Sequence, residues 1–249
     1  MALFYLLCCS RSDAINQHVH GIRHNGCFIK NAGSKAVQGI TKSVRASARE
    51  NGNGRLSDYE SKLDDFYVNS RILFLNGELD DGVAYRLISS ILRMKEADPN
   101  AAIKFYINSP GGSVSSGMAI YDILQSLNMP VETICLGQAA SMGAFLLAAG
   151  TKGMRFAMPN SRIMIHQPLG GAHGQVSDIE IQANEILRIR QILNAHLSHF
   201  TGQPVEKIEK DCDRDYYMPP AEAIEYGLID RICKTKTSDI PIAPIPPIS

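Results

Sequence analysis

The sequence has no surplus of charge: 25 Lys and Arg balance 25 Asp and Glu. That balance removes the electrostatic bias expected of a nucleic-acid binder or of a protein held on an anionic membrane surface. Cys-x-x-Cys pairs and Cys/His clusters at zinc-ligand spacing are also missing; the six cysteines are scattered at 8, 9, 27, 135, 212 and 233. If the first three leave with a leader, three remain that cannot all pair, so free thiols in a reducing compartment are the default. No long apolar run is featureless. The longest uncharged one, Thr133 to Thr151, contains three Gly, a Gln and a Ser. It reads as a buried strand followed by a buried helix rather than a membrane span. Acidic residues are nearly absent from the first 49 positions, where Asp13 stands against seven Lys and Arg and five Ser. Basic, Ser-containing and acid-poor is the composition of an organellar transit segment, for the plastid stroma or the mitochondrial matrix. A secretory signal competes, because MALFYLLCC is apolar, but no positive charge precedes that run. A disordered tail on a cytoplasmic protein is the other alternative. His18, His20 and His24 cluster in this leader, a poor setting for a metal site.

What is present is ordinary globular composition, 45% apolar and 20% charged over 249 residues, enough for one good-sized domain with tails. Asn51-Gly-Asn-Gly is a flexible joint. It divides the leader (1–54) from a domain over 55–234, and a Pro-rich extended tail occupies 235–249. Inside the domain, strands alternate with helices. RILFL (71–75), IKFYIN (103–108), Val131–Leu136, RIMIH (162–166) and Leu228–Ile232 read as strands. Helices are expected over Val83–Ala97, Val114–Leu127, from about Ala140, and over Ser177–Phe200, Val205–Asp211 and Pro220–Tyr226. The longest carries Ile179, Ala183, Ile186, Ile189, Leu193, Leu197 and Phe200 on one stripe. Ser177 with Glu180 forms a capping box at its start, and Gly202 ends it. Ile181 and Leu187 fall off the stripe, which predicts a second covered face. His196 and His199 on this helix read as surface residues. The order implies an α/β domain whose sheet-edge loops carry the site.

Val131–Gly150 organises the rest. Its apolar strand reaches Gly137, and Ser141 stands where the following helix begins. Such a serine either caps the helix or projects its hydroxyl beside unpaired helix N–H groups, where a nucleophile attacks a carbonyl. A second strand-to-helix turn, Gly111-Gly112, allows backbone to approach a substrate closely. N–H groups of Gly112 and Met142 together would make a two-donor oxyanion hole. His166, at the end of its strand, lies at the same rim of the sheet as these turns. An acidic partner is sought among Asp211, Asp213 and Asp215, between which composition does not choose.

Four stretches together resemble the ClpP family, the proteolytic subunits of the ATP-dependent Clp protease. They are Ile107-Asn-Ser-Pro-Gly-Gly-Ser, Gly137-Gln-Ala-Ala-Ser-Met-Gly, Pro159-Asn-Ser-Arg-Ile-Met-Ile-His-Gln-Pro-Leu-Gly-Gly and Asp213-Arg-Asp-Tyr-Tyr-Met. The resemblance spans about Leu56 to Cys233. It implies a crotonase-like α/β head with a protruding handle, a strand plus the long helix, formed by Leu169–Gly174 and the helix from Ser177. It also implies that Ser141 is the nucleophile, His166 the general base and Asp215 its orienting acid, with Gly112 and Met142 as oxyanion donors. Arg214 matches a residue that pairs across rings.

No metal or organic cofactor is implied in this subunit, because ATP is used by the partner. The implied partners are copies or relatives in two stacked heptameric rings, an AAA+ unfoldase (ClpX, ClpC or ClpA-like) and unfolded polypeptides; nucleic acid and membrane are not among them. Residues 45–62 lack the hydrophobic-acidic start typical of the family's gate loops, so mixed rings stand beside homomeric ones. A silent structural subunit is the alternative within the family, although all three triad positions are filled. An enoyl-CoA hydratase would place Glu over a thioester instead.

Overall fold

The computed structural model describes residues 55–235. The leader expected over 1–54, with its cysteines and histidines, and the tail from 236 onward lie outside the described residues. Within them the order is α1 (Arg55–Asn69), β1 (Ile72–Asn76), α2 (Asp81–Ala97), β2 (Ile103–Ser109), α3 (Val114–Gln125), β3 (Val131–Ala140), α4 (Met142–Ala148), β4 (Arg155–Ala157), β5 (Arg162–Ile165), α5 (Val176–Thr201), α6 (Val205–Asp211), β6 (Tyr216–Met218), α7 (Pro220–Tyr226) and β7 (Arg231–Ile232). All seven strands join one sheet, ordered β1-β2-β3-β4-β7, with β5 attached to β3 and β6 to β5. Every pairing is parallel except β5–β6. This is the mixed α/β architecture the alternation of elements implied.

Local sequence explains the main elements. β2 alternates: Ile103, Phe105, Ile107 and Ser109 are buried, and Lys104, Tyr106 and Asn108 are half-buried. The inward set joins the main core with Ile91 and Met94 of α2, Ile120 of α3 and Leu146 of α4. On the opposite face a small cluster forms around Ile134, Phe156 and Cys233, with Tyr106 and Met158 against it. Asp80 caps α2 by accepting the Val83 N–H at 2.7 Å. Gly202 (φ 77°) and Gly227 (φ 96°) close α5 and α7 in the left-handed conformation. A buried ion pair ties the far end of the sheet. Asp230 takes Arg155 Nη2 at 2.7 Å and Nε at 2.9 Å, and Arg155 Nη1 reaches the Ala148 and Phe200 carbonyls at 3.3 and 3.0 Å.

Several expectations need correction. β3 does not stop at Leu136; it runs through Gly137 (φ 67°) to Ala140, and α4 starts only at Met142. Gly137 allows the strand to change partner, from β4 at Thr133–Cys135 to β5 at Gln138–Ala140. The last strand is Arg231–Ile232 alone, and β4 and β6 were not foreseen, because three-residue strands leave little periodic signal. α5 begins after Gln175 with no side-chain cap bond, so Ser177 lies inside the helix and forms no capping box. The segment between His166 and Val176 holds no strand. An extended segment needs an edge to pair with, and among the described residues this one pairs with none. Of the stripe on α5, only Leu193 and Leu197 are buried and Ile179 is exposed; Ile181 and Leu187, off the stripe, are exposed too, so the second face is not covered among the described residues. His196 is no surface residue: it packs among Tyr121, Phe145 and Phe200. Burial there lowers its pKa, with Asp122 opposing and His199 assisting.

Candidate active site

Strand register brings the chemistry together. Ala140 pairs with Met164 across β3–β5, and the Ser141 N–H continues the ladder to the Met164 carbonyl at 2.9 Å. Across β5–β6 the antiparallel register pairs Ile165 with Tyr216. His166 is the residue just after that pairing on one strand, and Asp215 the residue just before it on the other. The side chains complete what the backbone sets up: Ser141 Oγ and His166 Nε2 are 2.9 Å apart, and His166 Nδ1 and Asp215 Oδ1 are 3.0 Å apart. With Nδ1–H donating to the carboxylate, Nε2 accepts from the serine hydroxyl. The imidazole is largely enclosed, its side chain 17% exposed, whereas Asp215 is 54% exposed.

Ser141 occupies the N-cap position of α4, yet its side chain makes no cap bond. Its hydroxyl is directed to His166 instead. Its backbone, at φ 55° and ψ −122°, is in a region L-residues rarely adopt. A strained serine between strand and helix, its hydroxyl raised out of the sheet, is the arrangement of a nucleophile elbow. Cysteine does not compete for this role. Burial pushes the thiols of Cys135 and Cys212 up to about 12.

The Gly111-Gly112 turn runs directly against Ser141. A Cβ on Gly111 (φ 97°) would stand 2.6 Å from Ser141 Cβ, 2.9 Å from the Ala140 carbonyl and 3.2 Å from Met142 N. At Gly112 (φ 146°) it would collide with the Leu79 carbonyl, because Leu79 N–H donates to Gly111 O and Ser113 N–H to Leu79 O, both at 2.8 Å. That ladder leaves the Gly112 N–H out, and Met142 N–H is in the first turn of α4. Neither N–H has an acceptor among the described residues. A pocket opens beside the hydroxyl, walled by Val114, Met142, Phe145, Ile165 and Pro168 and closed by Leu193, Asn194 and Leu197 of α5.

The acidic cluster sorts by partner. Asp211 accepts the Tyr226 hydroxyl at 2.9 Å and pairs with Lys207, the Asp213 carbonyl accepts Gln167 Nε2 at 2.9 Å, and Asp215 alone of the three meets His166. Arg214 points outward, its side chain 93% exposed and Nε 3.8 Å from Asp213 Oδ2. Among the described residues no three His, Cys, Asp or Glu side chains gather to hold a metal ion, and no helix is long and apolar enough to cross a membrane.

A family model described as Clp protease matches residues 56–236. The chain belongs to the Clp protease family. It is therefore a peptidase-family domain of ClpP type, from a family whose members assemble into oligomeric rings served by AAA+ ATPases.

Seen as a Clp protease domain, the structure adds two residues that motif reading passed over. Gln167, next to the histidine, binds the loop that carries Asp215: its N–H donates to Cys212 O at 2.6 Å and its Nε2 to Asp213 O at 2.9 Å. Arg190 of α5 reaches its Oε1 at 3.5 Å, linking the loop to the long helix. Its signal was adjacency to His166, which does not reveal what lies across the fold. Asn194 was visible only as a polar residue between Leu193 and Leu197.

Proposed function

We propose that this chain is a proteolytic subunit of an ATP-dependent Clp protease, a serine endopeptidase acting on unfolded polypeptides. The observation that carries the proposal is the continuous hydrogen-bonded path Ser141 Oγ–His166–Asp215, with a serine at its cap position that does not cap. Ser141 Oγ attacks the scissile carbonyl as its proton passes to His166 Nε2. The carbonyl oxygen becomes an oxyanion and receives the unspent N–H groups of Gly112 and Met142. Asp215 orients the imidazole and supports its positive charge. The intermediate collapses: the C–N bond breaks, and His166 returns the proton to the leaving amine. Water, deprotonated by the same nitrogen, then cleaves the acyl-serine ester and regenerates the hydroxyl.

In this reading the subunits stack as two heptameric rings, homomeric or mixed with relatives. The exposed Ile179, Ile181 and Leu187 on α5 supply apolar surface for the ring–ring contact. Arg214 is free to pair across the rings, so that assembly and the neighbouring Asp215 are linked. An AAA+ unfoldase threads substrate into the chamber, and without it only short peptides enter. The basic, acid-poor leader directs the chain to the plastid stroma or the mitochondrial matrix.

Labelling with a serine-reactive fluorophosphonate, followed by mass mapping, tests the chemistry. Modification at Ser141, lost in Ser141→Ala, is the expected result. An assembled particle whose Ser141 stays unlabelled would refute the peptidase reading in favour of a silent ring subunit.

A further inference from the structure

Two successive glycines form the Gly111-Gly112 turn, and a glycine pair has no side chain to choose which way its peptides face. The choice falls to their neighbours. Ser109 ends β2 in line with the inward-facing Ile103, Phe105 and Ile107, and it is fully buried where the alternation calls for an apolar side chain. Its hydroxyl oxygen accepts the Gly111 N–H at 3.1 Å. On the other side, the Gly111 carbonyl accepts the Leu79 N–H at 2.8 Å. Both polar groups of Gly111 are thereby held, at a φ of 97°. A trans peptide is planar, so the Gly112 N–H points away from the Gly111 carbonyl and hence away from Leu79. Ser109 also lies under the second donor. A Cβ on Gly143, next to Met142 in the first turn of α4, would stand 3.2 Å from the Ser109 carbonyl and 3.4 Å from Ser109 Cβ. One buried residue thus touches both turns that supply the Gly112 and Met142 N–H groups.

We propose that Ser109 is a positioning residue of the oxyanion hole: its hydroxyl holds the Gly111 peptide so that the neighbouring Gly112 N–H faces the reacting carbonyl oxygen. This rests on the serine-peptidase reading above. At 0% exposed, Ser109 meets no substrate and acts only through the turn. Without the hydroxyl, the buried Gly111 N–H has no acceptor, and the turn gains by rotating that group toward another partner. The strained φ of Gly111 then relaxes, and the next peptide, which carries the Gly112 N–H, is no longer fixed from both sides. Donors aimed in advance serve the oxyanion more than the substrate carbonyl that precedes it. The loss therefore falls on the transition state rather than on substrate binding.

The test uses the assembled full-length protein, a short fluorogenic peptide and two inhibitors of one sequence. A peptide aldehyde adds Ser141 Oγ to form a tetrahedral hemiacetal, and the matching peptide alcohol forms no bond. In Ser109→Ala, kcat should fall by about 10–100-fold with KM little changed, short of the about 10²–10³-fold that follows outright loss of a donor. Aldehyde affinity should fall by the same factor while alcohol affinity holds, because only the adduct places an oxygen in the hole. Ser109→Cys, similar in size but with sulfur as a weaker acceptor, should fall between the two. Fluorophosphonate labelling of the unaltered protein separates the two possible failures. Absent labelling of Ser141 sinks the peptidase reading itself. With labelling intact, a kcat in Ser109→Ala within about twofold of the parent overturns the role of Ser109 alone. A loss that appears in KM, or that weakens aldehyde and alcohol alike, overturns it as well. Should Ser109→Ala not assemble, Ser109→Cys carries the same comparison.

Discussion

Replacing Asp215 with Asn changes one charge and almost no volume, and the structure allows its cost to be worked through. If the Asn amide donates to His166 Nδ1, the imidazole proton moves to Nε2, which then faces Ser141 as a donor and cannot take its proton. Restoring the working tautomer leaves a mismatched hydrogen bond, worth about 1–3 kcal/mol. The imidazolium formed on attack also loses a carboxylate 3.0 Å away. Asp215 is 54% exposed, so an effective dielectric of about 40 is appropriate, and Coulomb's law then gives about 3 kcal/mol. The two effects total about 4–6 kcal/mol, of which the polar amide retains a part. A loss of about 10³-fold in kcat is expected, with KM little changed. Initial rates on a short fluorogenic peptide without any ATPase measure it, and fluorophosphonate labelling of Ser141 should slow in parallel. Thermal stability should move by less than about 0.5 kcal/mol, because the side chain is at the surface. Loss of under tenfold in Asp215→Asn, alongside a greater loss in Asp213→Asn, would refute the reasoning and shift the acid two residues back.

Two further perturbations test how the site is supported. Asp230→Asn leaves Arg155, its side chain 4% exposed, without a carboxylate, and should destabilise the domain by about 3–5 kcal/mol in chemical denaturation. Burial alone would raise the Asp230 carboxyl, but the Arg155 guanidinium and the Arg155 and Gly153 N–H groups outweigh it and hold the pKa below the usual value. The clamp's contribution is therefore present above the unfolded carboxylate pKa of about 4 and is lost as pH falls through the lower folded value, a slope that should flatten in the variant. A variant as stable as the parent would show the ion pair to be dispensable. Gly111→Ala adds a methyl 2.6 Å from Ser141 Cβ at a positive φ, and should cost about 2–4 kcal/mol and at least about 10²-fold in peptide hydrolysis. Gly202→Ala is its control, with φ 77° but nothing within 4 Å: strain of about 1–2 kcal/mol without loss of activity. Equal activity losses in the two variants would mean that contact with Ser141 is not what matters at Gly111.

Much of the site was legible because it is built from short, locally distinctive turns. Gly111-Gly112 is a backbone requirement, since Ser141 Cβ and the Ala140 carbonyl occupy the space a side chain would need at Gly111, and the Leu79 carbonyl does so at Gly112. α6 and α7 fell where caps and periodicity put them. The misses share a cause, which is partners distant in sequence. Gly137 looked like the end of a strand because a glycine is usually a stop, and only β5, lying beside residues 138–140, makes it a bend within a longer one. The stripe on α5 predicted burial along its whole length, but the chain provides packing only for its C-terminal half. Gln167 and Asn194 carry only a weak local signal, a place beside His166 and a break in an apolar stripe, which says nothing of their partners. One is defined by the Asp213 carbonyl and the other by a pocket assembled from several elements.

The separations of 25 and 49 residues between Ser141, His166 and Asp215 carry no distance in themselves. Two registers convert them into contacts of 2.9 and 3.0 Å. β3–β5 puts the end of one strand beside the end of the other, and in the antiparallel β5–β6 pair Asp215 directly precedes Tyr216, the residue paired with Ile165. Because side chains alternate along a strand, a slip of one residue in β5–β6 would bring Arg214 or Tyr216 opposite His166 and turn Asp215 to the other face. β6 is only three residues long, too short to hold its register alone. The Gln167 bonds to Cys212 and Asp213, just before β6, supply what the short strand lacks. They hold the Asp215 loop in register, and through Arg190 they connect it to the exposed helix. The alignment of the acid thus depends on a contact that reaches the surface of α5.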